Sequence, residues 1–535
     1  MLENTLTTDF IPGTNLTGGL ARASWRFLLP TLELDQIVCL GIPSKATLDV
    51  LSSMGKTTLA VSTDSRELDQ IQRDIESWKN DNLRILRVNA WNHLPLADKS
   101  VALVFFAGRK ELTQLFRDAS FAAEVGRLMN VNGALYFEVK KRSEQIAARK
   151  LMQRFANLGF AAPRVLWLTP LTGELRTAFP LDDDRMSQYL FTNVLYGQSA
   201  KMRAISRAGI LLSRAGLLRH AAPRRAILMQ RSSTDSERQT PPHYMVALAK
   251  KSGMDLSGMR CGLSARGKFN ANKNIFYLFD RQSEKARVVV KMTRAAEFNP
   301  RLENEYRVLT ALHEKSFVER DTFPAPLFFG YHANLAMLGQ IAVHGEPFRR
   351  RTKATIDCSI AHDAINWIVK LGIASANAFT ASSAEVETAL MKLFQRFAEI
   401  YPLSKFEADF LEAQIAVIGK ASKKFPLVFQ HGDPGTWNML VSETNRVIVI
   451  DWEAGEPEGM PLWDLFYFMR TYGSWMSRRH GNKEALQNFT QNFLEPSPLR
   501  ELLAATLSRY SAGVGLHADL IAPLFYTCWM HRSLK

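Results

Sequence analysis

Cysteine is scarce in this chain. Only Cys39, Cys261, Cys358 and Cys528 carry a thiol among 535 residues, and no two stand in a C-x-x-C spacing. That argues against a disulfide framework or a common zinc site and suits a reducing cytoplasm. Long apolar runs are absent too: none reaches the roughly 18 residues that a membrane-spanning helix needs. The opening stretch, MLENTLTTDF, has no basic region followed by an apolar core, so no leader peptide is expected. Acid is in short supply: 52 Asp and Glu face 67 Lys and Arg, a net charge of +15. Such an excess points to an anionic partner: nucleic acid, phospholipid or a phosphorylated substrate. The rest is ordinary globular composition, 46% hydrophobic and 22% charged, and the length suits two or three domains.

The densest chemistry lies in LVFQHGDPGTWNMLVSETNRVIVIDWEAGEPEGMPLWD, residues 427–464. An apolar run at Leu427–Phe429 delivers His431, Gly432 and Asp433 into a loop. Asn438 follows, and a β-branched run at Val447–Ile450 delivers Asp451. Two short strands thus carry an Asp, an Asn and another Asp to one end of a hairpin. Phosphoryl transfer from a nucleotide needs such groups: one carboxylate for the attacking hydroxyl, an amide oxygen and a second carboxylate for Mg²⁺.

This spacing resembles the aminoglycoside phosphotransferase and choline kinase superfamily, small-molecule kinases with a protein-kinase-like fold. The resemblance implies Asp433 as catalytic base and Asn438 and Asp451 as metal ligands. It also implies His431 as a support of the catalytic loop and Asp464 as its acidic brace. Upstream, Gly262 and Gly267 are read as flanking a turn of a hairpin that covers nucleotide phosphates. VVVK, ending at Lys291, resembles the strand with the phosphate-binding lysine. Glu305, in an expected helix over 301–312, would pair with that lysine, with Glu303 as its rival. Trp437, Trp452, Trp463 and Trp475 either fill the core or stack on a sugar, core filling being the better reading. Helices are expected over 361–378, 384–401, 406–420, 460–472, 483–493 and 498–511.

Residues 31–180 alternate strands (36–40, 58–61, 83–88, 101–106, 134–139) with helices, which predicts a doubly wound parallel sheet. The order resembles class I S-adenosylmethionine-dependent methyltransferases. Asp64 sits where that family offers an acid to the ribose, and LPLADKSVALV and EVGRLMNVNGALYFEV resemble its later segments. The glycine loop departs from the pattern: Gly41 is followed by Ile42, Pro43, Ser44 and Lys45, so S-adenosylmethionine should bind weakly or not at all.

The expected organisation is therefore a Rossmann-like α/β domain (1–180), a basic helical linker (181–255), and a bilobal kinase-like part with lobes at 256–345 and 346–535. The linker holds Lys201, Arg203, Arg207, Arg214, Arg219, Arg224, Arg225 and Arg231, with no acidic residue from 201 to 231. Its interleaved leucines fit either an interfacial helix on an anionic membrane or a connector packed on a domain. Nucleic acid fits less well, as no aromatic interleaving accompanies the arginines. Residues 232–242 read as a flexible boundary. The functional expectation is an ATP- and Mg²⁺-dependent kinase of a small-molecule hydroxyl acceptor, such as a sugar or lipid-linked saccharide. The chain would be cytoplasmic, or peripheral at the membrane. The alternatives are a bifunctional methyltransferase-kinase of surface-polysaccharide synthesis and a nucleotide-binding scaffold without turnover.

Overall fold

The structure, a computed structural model, describes residues 20–76, 81–107, 109–170, 173–195, 200–231, 241–376, 378–421 and 424–535. The chain divides into two compact units. Residues 15–302 with 327–342 form a sheet unit, and residues 303–326 with 343–535 form a helical unit.

The sheet unit opens with β1 (Leu34–Leu40), β2 (Gly55–Ser62), β3 (Leu83–Arg87), β4 (Val101–Phe106) and β5 (Met129–Val139). They lie in the order β5-β4-β1-β2-β3, every neighbouring pair parallel. Their apolar runs suit strands covered on both faces. Alternate residues divide between two layers: Ile37, Cys39, Leu103 and Phe105 join one core cluster, Val38, Leu40, Val104 and Phe106 the other. The first layer is covered by the helix Lys45–Met54 and the segment Leu20–Leu28, whose Trp25 stacks on Phe105 and Tyr136 at 4.5 and 4.6 Å. The second is covered by the helices Arg109–Arg117, Ala119–Leu128 and Arg142–Asn157. The five strands match the expected ones closely.

The stretch expected to be a helical linker does something else. After β6 (Arg164–Thr169) and β7 (Thr177–Pro180), the helix Ala200–Arg214 ends near Gly216, whose φ of 64° is left-handed. Residues Arg225–Gln230 then form β8, paired antiparallel with β5 and β6. Leucines and arginines predicted helix across this stretch, but only its first half is long-helical. The apolar RAILMQ fills a sheet position buried among neighbours. The expected boundary at 232–242 lies outside the described residues as far as position 240.

The sheet then continues. β7 pairs with β9 (Arg260–Ser264) through Thr177↔Ser264 and Ala178↔Leu263. Beyond β9 come β10 (Asn274–Phe279) and β11 (Val288–Met292), and the edge is made by β12 (Pro326–His332) and β13 (Leu335–Ile341). The whole is one sheet of thirteen strands, ordered β12-β13-β11-β10-β9-β7-β6-β8-β5-β4-β1-β2-β3. Strands assigned from sequence to a separate amino-terminal lobe thus share a ladder with the Rossmann-like strands.

The helical unit has its own core, gathered around Ile365, Leu390, Phe429, Trp452, Phe466 and Leu524. The helices Ser359–Ser375, Ser383–Ile400 and Lys405–Gly419 fall where periodicity placed them. The second and third start with capping boxes, Ser382 with Glu385 and Ser404 with Glu407. Two three-stranded sheets complete it. One joins β14 (Glu346–Pro347), β17 (Met439–Val441) and β18 (Val447–Val449); the other joins β15 (Phe379–Ala381), β16 (Phe425–Gln430) and β19 (Glu456–Gly459). The helices Trp463–Arg479, Ala485–Phe489 and Pro498–Val514 follow, and a further helix, Ile521–Ser533, was not foreseen. All four cysteines are unpaired and buried. No helix among the described residues is long and apolar enough to cross a membrane.

Candidate functional site

β16 is apolar on both faces, so it runs buried and releases the chain into a loop at His431. Gly432 has a φ of 75°, and a Cβ there would collide with the carbonyl of Ala454. Only glycine fits the turn. Asp464 braces it: Oδ2 accepts from the His431 N–H at 2.6 Å and Oδ1 from the Gly432 N–H at 3.0 Å. Burial nevertheless lifts the Asp464 carboxyl above its ordinary value. His431 is fully buried, tilted against Trp452 at 4.6 Å. Its Nε2 lies 2.9 Å from the Ile450 carbonyl, which can only accept, so Nε2 carries the proton. Nδ1 accepts the Asp433 N–H at 3.2 Å. Both ring nitrogens are therefore occupied in holding the backbone around Asp433.

The Asp433 carboxylate is held from three sides. Oδ2 accepts from Asn438 Nδ2 at 2.9 Å and from Trp437 Nε1 at 3.3 Å. Oδ1 accepts from Arg532 Nη2 at 2.8 Å. Its side chain stays 29% exposed, so it still meets solvent. Arg532 also donates to the Gly432 carbonyl and lies over the Tyr467 ring, 3.5 Å from its centroid. Sequence reading missed Arg532. It lies on the last helix, and no local pattern marks it.

Asn438 and Asp451 end one ladder. β17 and β18 pair through Met439↔Val449, and the Ile450 N–H donates to the Asn438 carbonyl at 2.9 Å. The next residue, Asp451, turns the chain with φ 69° and ψ 65°. The amide nitrogen of Asn438 donates to both the carbonyl and the carboxylate of Asp433, which fixes the amide orientation.

Three of the four tryptophans are core residues: Trp452, Trp463 and Trp475 are at most 6% exposed. Trp437 differs. It is 50% exposed, beside Asp433, with the Arg349 guanidinium 5.6 Å from its ring centroid. Arg349 Nε donates to Thr436 Oγ1 at 2.7 Å. Burial and the nearby Arg478 lower the Arg349 pKa.

Beneath the loop lies a buried charged cluster. Glu456 Oε1 is 3.8 Å from Lys535 Nζ and 4.0 Å from His531 Nε2. Burial pushes the Glu456 carboxyl up to about 7, with Asp464 adding to the rise. Burial also drives His531 towards its neutral form and lowers Lys535.

Glu305 lies in the helix Asn299–Lys315, fully buried, with Oε1 3.4 Å from the Trp452 N–H. Its rival Glu303 is exposed. Asn304 Nδ2 donates to the carbonyls of Glu453 and Gly455 at 3.0 and 2.9 Å. This helix therefore grips the turn after Asp451. Lys291 lies in the sheet unit, on β11, 6% exposed.

The two glycines separate in role. Gly267, with φ 91°, belongs to the β9–β10 loop, where Asn272 Oδ1 accepts the Phe269 N–H at 3.0 Å. Gly262 does not flank the turn. It lies inside β9, and a Cβ would strike the Phe179 ring, so its smallness serves packing on β7. The loop's clamp is Arg294, unforeseen and 1% exposed. Its guanidinium donates to the carbonyls of Ala265, Arg266, Gly267 and Phe269 at 2.8 to 3.1 Å.

Residues 267–502 match the model of the phosphotransferase enzyme family. No curated protein matches the chain. Among solved structures, an aminoglycoside phosphotransferase of Streptomyces rimosus, in complex with ADP and streptomycin, is 17% identical. That match covers 50% of this chain and 93% of the other, with a TM-score of 0.31. A SAM-dependent methyltransferase of Aquifex aeolicus is 16% identical over 29% of this chain and 86% of the other, with a TM-score of 0.23. A SAM-dependent O-methyltransferase of Thermotoga maritima is 13% identical over 44% and 73%, with a TM-score of 0.25. Residues 267–502, with the loop of Asp433 inside them and Arg532 beyond them, are thus the part of this chain that matches the phosphotransferase enzyme family.

Proposed function

We propose that the chain is an ATP- and Mg²⁺-dependent kinase that phosphorylates an alcohol. The observation that carries this reading is the Asp433 carboxylate, solvent-accessible yet oriented by Asn438, Trp437 and Arg532. A carboxylate so held orients an acceptor hydroxyl and takes its proton as the new oxygen–phosphorus bond forms. The bond from the γ-phosphorus to the bridging oxygen breaks, and ADP leaves.

The donor set suits a hard cation. The Asn438 amide nitrogen faces Asp433, so the amide oxygen is the atom offered to a metal, and Asp451 adds a carboxylate. One amide oxygen and one carboxylate match a Mg²⁺ ion that keeps phosphate oxygens and water in its shell. Mg²⁺, when bound, neutralises charge on the phosphates. In this reading Lys291 serves the nucleotide phosphates and Glu305 supports the Asp451 turn.

ADP release tests the proposal, measured with a panel of aminoglycosides, choline-like alcohols, sugars and lipid-linked saccharides. The expected result is acceptor-dependent turnover that Asp433→Asn abolishes while ATP binding survives. Turnover undiminished in Asp433→Asn would sink the assignment.

A further inference from the structure

We propose that the helix Ala200–Arg214 and the turn after it form a docking face for a bilayer bearing anionic lipid. Ile210 and Leu212 of this helix are partly buried, but its closest inward contacts are made by small and polar residues. Gly209 faces the Phe191 ring so closely that a Cβ would collide with it. Ser213 Oγ donates to the Asp184 carbonyl at 2.7 Å, and Ser206 Oγ to the Leu195 carbonyl at 3.4 Å. Gly209 and Ser213 are thus the buried residues of the helix, with Ser206, Ile210 and Leu212 partly covered.

The outward side also carries apolar residues. Ala204, Ala208 and Leu211 recur at helical intervals on an exposed face, with Ile205 beside them. Leu211 is 65% exposed, Ile205 43% and Leu217, just past the helix, 51%. Such a stripe on a charged chain marks an interaction surface. Arg203, Arg207 and Arg214 lie along one edge of it at four- and seven-residue spacing, all exposed, and Arg219 follows. No acidic residue occurs from 201 to 231. Arginines edging an apolar stripe keep their stems on it while their guanidinium groups reach lipid phosphates.

The structure also trims the sequence expectation. Arg224 is internal: it pairs with Glu138 at 2.9 Å and donates to the carbonyls of Pro170 and Gly173. Arg225 and Arg231 donate to carbonyls of their own unit. The side chain of Lys201 lies outside the described residues. Four arginines remain for the surface. The connector reading required Leu211, Leu212 and Leu217 beneath a domain; Leu212 is partly buried, while Leu211 and Leu217 stand exposed.

Vesicle sedimentation of the full chain tests this. The protein should pellet with phosphatidylcholine vesicles that contain phosphatidylglycerol, and not with pure phosphatidylcholine. Each surface arginine is worth about fivefold in partitioning, so the triple variant R203Q/R207Q/R214Q should bind roughly a hundredfold more weakly. Salt near 1 M should release the wild type, as the Debye length falls to about 3 Å. A fluorophore on Leu211→Cys should shift to the blue on binding; the buried native cysteines leave that thiol accessible alone. All the substituted side chains are exposed, so the fold is not at stake. Equal affinity for both vesicles, no affinity for either, an unchanged triple variant or an unshifted fluorophore would overturn the proposal.

Discussion

Arg532 on the last helix reaches back 99 positions to Asp433, Nη2 to Oδ1 at 2.8 Å, and its second arm donates to the Gly432 carbonyl. One guanidinium thus fixes both the carboxylate and the backbone that presents it. Arg532→Ala should lower kcat by about tenfold to a hundredfold, with nucleotide KM little changed, the effect expected of lost positioning. Arg532→Lys should recover only part, because an ammonium lacks the planar fork. Steady-state kinetics of both variants decide; full recovery by lysine would indicate that charge alone matters, and equal loss in the two that the fork geometry is everything.

Trp437 presents an exposed indole beside Asp433 while donating to it. Trp437→Phe keeps a stacking face and removes the donor; Trp437→Ala removes both. If the ring is a platform for the acceptor, the alanine variant should raise acceptor KM about tenfold, near the worth of one aromatic contact, and the phenylalanine variant much less. Matching KM values in the two variants would assign the effect to the lost N–H.

Glu456 makes stability depend on pH. Its carboxyl is raised from 4.5 to about 7 by burial, so the native state holds its proton more tightly than the unfolded chain does. The associated stabilisation is complete below about pH 4.5 and is lost as pH rises through about 7. Glu456→Gln, uncharged at every pH, should escape this loss, which amounts to roughly 3 kcal/mol at most. Urea midpoints at pH 5 and pH 8 check it: the wild type should weaken between them more than the variant does. Parallel curves would place the pH sensitivity elsewhere.

The Rossmann-like strands should not bind S-adenosylmethionine at micromolar concentration, a free energy of about −8 kcal/mol. After Gly41 come Ile42, partly buried on the core, then Pro43 and the helix beginning at Lys45. Asp64 Oδ1 is occupied in accepting the Arg66 N–H at 3.0 Å at the start of a helix. Isothermal calorimetry should show no heat; micromolar binding would restore the bifunctional alternative.

What could be read from sequence was what is local. His431, Asp433, Asn438, Asp451 and Asp464 lie within one hairpin and the turn after it, so their spacing, and the resemblance it carries, singled them out together. The five parallel strands were legible because burial on both faces writes itself as apolar runs. Arg532 and Arg294 were not, since each acts on backbone far from it in sequence, and a buried arginine looks the same on the page as an exposed one. Gly262 misled for a related reason. Glycine beside a turn suggests a phosphate loop, and only the position of Phe179 shows that an aromatic ring claims the space.

The pairing of β7 with β9 has a consequence for inheritance. A gene that joins two domains by a tether can lose either one and leave the other whole. Here the Rossmann-like strands and the glycine hairpin share a ladder through Thr177 and Ala178, with Phe179 seated on Gly262. Cutting the gene between them would leave two raw strand edges, each a template for aggregation. Loss of either half would therefore leave the other with an edge strand that its partner now covers.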